Sequence, residues 1–494
     1  MNGGEGMAKL HILPREIDVT VPAGSNLLEG LRNAGVFPNA PCGGKGTCGK
    51  CRVIAEGREV LACKVTVLED MTVTVPEAAG LQILQGGIWG KAAMDPVKDG
   101  FLLAIDIGTT SLVCYLLDGK TGEELARSSM ANPQAVYGAD VISRIQAAQR
   151  GELTRLTGLI REGITALIHR VCAEGKITPD AIGVVSVVGN PAMEQLFLGI
   201  SPENLVRIPF APVLREGKAV PCGPVLPVCP NASLLIVPNI SGFVGADTVG
   251  CLLSTELYQK EEITLLVDIG TNAEMVLGNQ DRMIACAAAA GPALEGANIR
   301  FGMGAQTGAI DHMWLEKGAV KCSVIGGGEA KGICGSGLVD AVAVGLQTGL
   351  LNKRGRIQRE DRIFPLTESV YLTQEDIRQV QLAKGAICAG IRLMAKQLEI
   401  EMKDIQKVLL AGAFGSYMDP KSACRIGLLP EMLLDRIEAV GNAAGSGAKM
   451  LACDQKLLPL TGQLCENIEF LELASLPDFP KTFAGAMNFR EETA

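Results

Sequence analysis

Aromatic side chains are scarce in this 494-residue chain: Phe, Trp and Tyr together make up 4%. A surface that stacks single-stranded bases needs more of them, so that function is disfavoured. No block of lysines and arginines occurs and the formal net charge is −9, so the phosphate-neutralising footprint of a nucleic-acid binder is missing. No run approaches 18 uncharged apolar residues, and no bilayer-spanning helix is expected. The opening MNGGEGMAKLHILPREIDV lacks the apolar core of a secretory signal, so a cytoplasmic, reducing location is expected. The three histidines, His11, His169 and His312, are isolated in sequence and read as surface or core residues, not as bases or ligands. There is no G-x-x-x-x-G-K-S/T loop, and no early G-x-G-x-x-G opening a helix of a β-α-β unit.

What is present is ordinary globular material, 48% apolar and 20% charged, enough for two to four domains. The 59 glycines sit in short turn-like clusters. Of 16 cysteines, four are clustered and the other twelve are scattered through apolar sequence. In a reducing compartment disulfides are unexpected, and the scattered thiols read as small buried hydrophobes.

The segment KLHILPREIDVTVPAG alternates apolar and polar residues around a Pro-containing turn, which predicts a β-hairpin. SNLLEGLRNAG shifts to helical spacing, with Leu27, Leu28, Leu31 and Ala34 on one face, Ser25 as the expected N-cap and Gly35 as the stop. Then comes Cys42-x5-Cys48-x2-Cys51-x11-Cys63, three thiols in a Gly-rich loop and a fourth expected from a later strand. Thiolates converging on two irons need backbone close enough to donate to sulfur, and Gly43, Gly44, Gly46 and Gly49 supply that approach. Cys48-x2-Cys51 is also half of a zinc knuckle, but a zinc ribbon pairs two such units and this spacing does not. Residues 8–78 resemble a [2Fe–2S] ferredoxin domain of β-grasp form, with the first gap of five similar to the adrenodoxin-like spacing. Cys42, Cys48, Cys51 and Cys63 are the expected cluster ligands. Residues 79–99 are Gly- and Ala-rich and read as a linker, either mobile or docked.

A second machine begins at residue 100. FLLAIDIGTTSLVCYLLD reads as strand, acidic turn, strand, and TLLVDIGTNAEMVLG repeats the device 162 residues later, Asp106 to Asp268. Two copies suggest duplicated halves facing each other. In each turn Gly lets backbone N–H groups line a concavity for an anion, and hydroxyl and amide side chains add donors. Gly108, Thr109, Thr110, Gly270, Thr271 and Asn272 are the phosphate candidates. Asp106 and Asp268 are the candidates for holding Mg²⁺ and orienting an attacking water. Gly335 and Ser336 open an apolar helix whose first turn suits phosphate or ribose. VLLAGAFGSYMDP reads as a buried strand followed by a Gly turn from Gly412 to Gly415, so Gly412, Ala413 and Gly415 are the adenosine candidates. Asp247 and Glu274 read either as cleft groups or as salt-bridge partners, and Cys334 as structural. The order of these elements resembles the actin–hexokinase–Hsp70 (ribonuclease H-like) ATPase fold. The expected chain is α/β multidomain: ferredoxin 1–78, linker 79–99, ATPase halves 100–262 and 263–494.

Several strings are specific. They include MANPQAVYGADVISRI (130–145), PNISGFVGADTVG (238–250), AAGPALEGANI (289–299), GICGSGLVDAV (332–342), LAGAFGSYMDP (410–420) and VGNAAGSGAKM (440–450). With these the chain resembles, from about residue 8 to 490, the reductive activators of corrinoid-dependent enzymes. Pro191 stands where a small hydroxyl residue is expected. The resemblance implies ATP-dependent return of one electron from a [2Fe–2S] cluster to an inactive Co(II) corrinoid protein, regenerating Co(I) for methyl transfer. It implies Mg²⁺, an upstream electron donor and a homodimer formed through the ATPase domain. Alternatives are an activator of another low-potential enzyme, as for 2-hydroxyacyl-CoA dehydratases, a redox-sensing small-molecule kinase, and a nucleotide-switched scaffold.

Overall fold

The structure is a computed structural model and describes residues 6–14, 16–34, 36, 38, 40, 44, 46, 49–76, 86–87 and 99–489. The chain forms two compact units, Met1–Gly80 with Pro133–Ala147, and Leu81–Asn132 with Ala148–Ala494. The segment Pro133–Ala147 thus groups with the N-terminal unit, although it falls inside the first expected ATPase half.

The first unit is built on a five-stranded sheet in the order Ile17–Pro22, Met7–Leu13, Met71–Thr74, Arg52–Ala55, Arg58–Leu61. The expected hairpin is its edge, with Leu10 opposite Val19. The parallel pairing of Met7–Leu13 with Met71–Thr74 closes the sheet over the helix Leu27–Asn33. Leu10, Ile12, Leu27, Leu28, Leu31, Val53 and Val73 form its core. The helix cap differs from expectation by one residue. Asn26, not Ser25, accepts from Leu28 N, while the Ser25 hydroxyl donates to Pro22 O. Gly35 lies outside the described residues.

The second unit contains two six-stranded sheets that match in order over five strands. In the first, Glu124–Ala131, Ser111–Asp118, Phe101–Ile107, Ile182–Gly189 and Ser233–Ile236 are consecutive neighbours. In the second, Met283–Ala288, Ala273–Gly278, Thr264–Ile269, Lys407–Ala411 and Ile437–Gly441 repeat that order. Each sheet begins with an antiparallel meander and continues with parallel strands. The parallel strands are near-continuous apolar runs because helices cover both faces. The duplication read from the two acidic turns therefore extends to five strands of each sheet; the sixth, Lys218–Pro221 in one and Ile468–Phe470 in the other, lies on opposite edges.

The halves share a core in which Leu102, Val113, Tyr115, Leu266, Val276 and Leu409 are buried together. They meet in close backbone contact between the helices Ala246–Thr255 and Ala443–Cys453. A Cβ added to Gly447 would stand 2.1 Å from Gly250 O, and one added to Gly250 would stand 2.8 Å from Ala444 O. Ser186 Oγ donates to Ala448 O (2.5 Å) and Ser254 Oγ to Ala443 O (2.8 Å), tying the second helix to the first half. Of the linker, the described Gly86 and Gly87 are docked: Asn442 N donates to Gly86 O (2.7 Å), and Gly87 bridges to Gly441. Cys114, Cys172, Cys222, Cys251, Cys286, Cys334, Cys388, Cys424 and Cys453 are buried, as expected of small hydrophobes.

The crossing yields a prediction. Gly447→Ala puts a methyl group against a backbone oxygen that only a helix shift can move. We expect a loss of about 2 kcal/mol or more, seen as a lower denaturant midpoint for the intact chain. An unchanged midpoint would show that the helices separate freely.

Candidate functional site

In the N-terminal unit, Cys51 is buried and Cys63 half-buried. Cys63 belongs to the short turn Ala62–Lys64 that follows the strand Arg58–Leu61, not to a strand itself. Its backbone N–H donates to Cys51 Sγ (3.5 Å), while Asn26 Nδ2 donates to Cys63 O (3.0 Å). A backbone donor already aimed at a thiol sulfur is what a cluster ligand requires, so these two residues fit a [2Fe–2S] group. Gly44, Gly46 and Gly49 have φ of +97°, +75° and +66°, as a tight ligand loop demands. Cys42 and Cys48 lie outside the described residues.

In the second unit a cleft of about 340 Å³ gathers most of the remaining candidates. Asp106, Gly108, Thr109, Thr110, Asp268, Gly270, Thr271, Asn272, Gly335, Ser336, Gly412 and Ala413 all line it. Asp247 and Glu274 line it too, so the cleft reading holds for both. Gly415 is not among the lining residues. The expected Gly turn is instead a short helix, Gly412–Tyr417, whose Gly415 is buried against Leu410. Gly412 takes φ +79°, and a Cβ there would be 2.4 Å from Asp268 Oδ1. The strand-to-helix turn therefore needs glycine for conformation and for clearance above the carboxylate.

The two acidic turns use their glycine N–H groups internally. Gly108 N donates to Ser111 O (2.9 Å) and Gly270 N to Asn272 O (2.8 Å). Anion donors must then come from the residues after each glycine. Asn190 Nδ2 donates to Thr109 Oγ1 (2.9 Å), and Asn132 Nδ2 to Gly108 O (2.8 Å), fixing the first turn. Asn190 also caps the helix Pro191–Leu198, where Pro191 is its first residue and gives up no needed N–H. The Ser336 hydroxyl donates to Asp311 O (2.8 Å), so this side chain orders the loop, while the helix Gly335–Gln347 still points its N-terminus at the cleft lining.

Charge in the cleft is one-sided. Asp106, Asp247, Asp268, Glu274, Glu295 and Asp311 line it, and no lysine or arginine is among the lining residues. Burial pushes the Asp106 carboxyl up to about 6, with Asp268 adding to the rise and the Asn442 hydrogen bond (2.8 Å) opposing it. Burial likewise pushes Asp268 up to about 6. Asp247 is raised by burial and then by Asp268, and Glu274 by burial and then by Asp247. Such a set accepts a divalent cation readily and a bare polyanion poorly. Sequence reasoning missed Glu295, Asn442 and His312. His312 lines the cleft, and Asp340 Oδ2 at 3.0 Å from Nδ1 holds its pKa above the ordinary imidazole value.

Comparison with known proteins defines the class. Residues 10–78 match the 2Fe-2S iron-sulfur cluster binding domain, 101–260 the RACo middle region and 262–494 the C-terminal domain of RACo, the ASKHA domain. The chain is thus a ferredoxin-type domain joined to an ASKHA-type domain. It belongs to the family of corrinoid activation enzymes: it is 31% identical to the corrinoid activation enzyme RamQ of Eubacterium limosum over 96% of this chain and 97% of that one. It is also 29% identical to the [Co(II) methylated amine-specific corrinoid protein] reductase of Methanosarcina barkeri, over 74% and 72% of the two chains. A solved structure described as a reductive activator for corrinoid, iron-sulfur protein superposes with TM-score 0.71 at 28% identity, covering 98% of both chains.

The carboxylate pKa values predict a pH-dependent trade-off. A folded-state value of about 6 means that the Asp268 charge opposes folding above that pH, and the opposition fades as pH falls toward the ordinary 3.8. Asp268→Asn should therefore stabilise the nucleotide-free protein by about 2 kcal/mol at pH 7.5. The gain should shrink steadily below pH 6, as read from melting curves. A gain that does not depend on pH would mean that the carboxylate charge is not its source.

Proposed function

We propose that this protein is an ATP-dependent iron–sulfur reductase that passes one electron to an inactive Co(II) corrinoid held in another protein and so regenerates Co(I). The observation that carries the reading is the union, in one chain, of the cysteine loop with a two-lobed, carboxylate-lined cleft. The likeness to the reductive-activator structure over 98% of both chains supports it.

In this reading Cys42, Cys48, Cys51 and Cys63 hold a [2Fe–2S] cluster, which when bound supplies single electrons. Asp106 and Asp268 hold Mg²⁺ and orient the attacking water. Thr110, Thr271 and the N–H groups after each glycine take the phosphates, and the turn at Gly412 and Ala413 takes the adenosine. With no lysine or arginine among the described residues that line the cleft, the metal offsets part of the triphosphate charge. Each 59 mV of uphill one-electron transfer costs a factor of about ten in equilibrium. Nucleotide offsets that cost only by favouring one arrangement of the protein over another, and closure of the two halves about MgATP is that rearrangement. ADP and phosphate are the products, without a phosphorylated metabolite. The working division is 1–78, 79–99, 100–262 and 263–494. The working assembly is a cytoplasmic homodimer through the ATPase domain, charged by an upstream electron donor.

The test is spectroscopic. Protein, MgATP, a reductant and a Co(II) corrinoid protein should develop the Co(I) absorption. Failure with every corrinoid partner tried would sink the proposal. Asp106→Ala should abolish the absorption change and leave the cluster spectrum intact, whereas Cys51→Ser should damage that spectrum and spare ATP binding.

A further inference from the structure

Glu295 lies at the end of the short turn Pro292–Glu295, between Gly291 (φ +72°) and Gly296 (φ +79°). Its carboxylate reaches both acidic turns at once. Thr110 Oγ1, from the first half, donates to Glu295 Oε1 at 3.1 Å. Thr271 Oγ1, from the second half, donates to Glu295 Oε2 at 2.6 Å. The carboxylate thus stands between the two turns that, on the reading above, grip the terminal phosphates of ATP.

A threonine hydroxyl carries one hydrogen and can donate only once. While Thr110 and Thr271 donate to Glu295 they cannot donate to a phosphoryl oxygen. A carboxylate presents two anionic oxygens to the two hydroxyls, much as a terminal phosphoryl group does. A polyanion entering beside an unmoved Glu295 would forgo both donors and meet a like charge as well. We propose that Glu295 is an anionic stand-in for the terminal phosphoryl group: it holds the two threonine hydroxyls, one from each half, and the phosphates of ATP displace it. This inference rests on the nucleotide reading of the cleft and adds a residue that competes with the substrate.

Competition has a signature that a metal-holding or water-orienting carboxylate would not share. Charge-assisted hydrogen bonds that must be broken for ATP to bind weaken its apparent affinity, so their removal should strengthen it. By titration calorimetry with Mg²⁺ present, Glu295→Ala should bind ATP about tenfold more tightly than the wild type, or better. Glu295→Gln, which keeps the shape but loses the charge, should move the same way by less, and it serves if the alanine variant folds poorly. AMP, too short to reach the hydroxyls, should bind all three proteins alike. Equal or weaker ATP binding by both variants overturns the stand-in, and so does an equal gain for AMP. A wild-type protein that binds no MgATP overturns the nucleotide reading itself, and this inference with it.

Discussion

The helices Ala246–Thr255 and Ala443–Cys453 meet backbone to backbone at Gly250 and Gly447, and the geometry of the cleft follows from that contact. Each helix stands close to the acidic turns. Asp247 lies in the first turn of one helix, and Asn442, which caps the other, holds Asp106. A crossing with glycine on both helices lets the two backbones meet and limits how far the halves can separate there. The two acidic turns are thereby held at a distance where one side chain, Glu295, can touch both.

Within that frame the energetic problem is surplus negative charge. Carboxylates drawn from five separate segments converge with no lysine or arginine among the described lining residues, and burial raises Asp106, Asp247, Asp268 and Glu274 above the ordinary range. A site of this kind is under tension when empty and relaxes when a divalent cation enters. The docked Gly86–Gly87 segment bears on the same place, because Asn442 receives the linker on its backbone and Asp106 on its side chain. The chain that joins the two units is therefore only two hydrogen bonds from a carboxylate of the cleft.

How much of this was legible beforehand depended on distance along the chain. The cysteine loop and the two acidic turns were readable because their chemistry sits in consecutive residues, and the repeat supplied its own confirmation in the sheet order. Glu295 was not readable: its partner Thr110 is 185 residues away, and Asn442 is 336 residues from Asp106. Only the folded chain makes such pairs. His312 looked isolated for the same reason, since Asp340 reaches it from a helix turn that no spacing rule connects to it. Local misreadings had local causes. Asn26 outcompeted Ser25 as a cap because the serine hydroxyl turned back to Pro22. Gly412 made the whole turn alone, which freed Gly415 to pack in a helix.

The buried thiols have a consequence for how the protein is made. Iron is captured by thiolate and not by thiol. Burial pushes Cys222, Cys424 and Cys465 up to about 12 and Cys453 up to about 11, and it drives Cys114, Cys251 and Cys286 upward as well. In the folded second unit burial favours the neutral thiol at these sulfurs and makes them poor competitors for metal, although the chain as a whole is rich in cysteine. Packing of the second unit thereby takes seven of the chain's sixteen cysteines out of easy competition with the cysteine loop for iron.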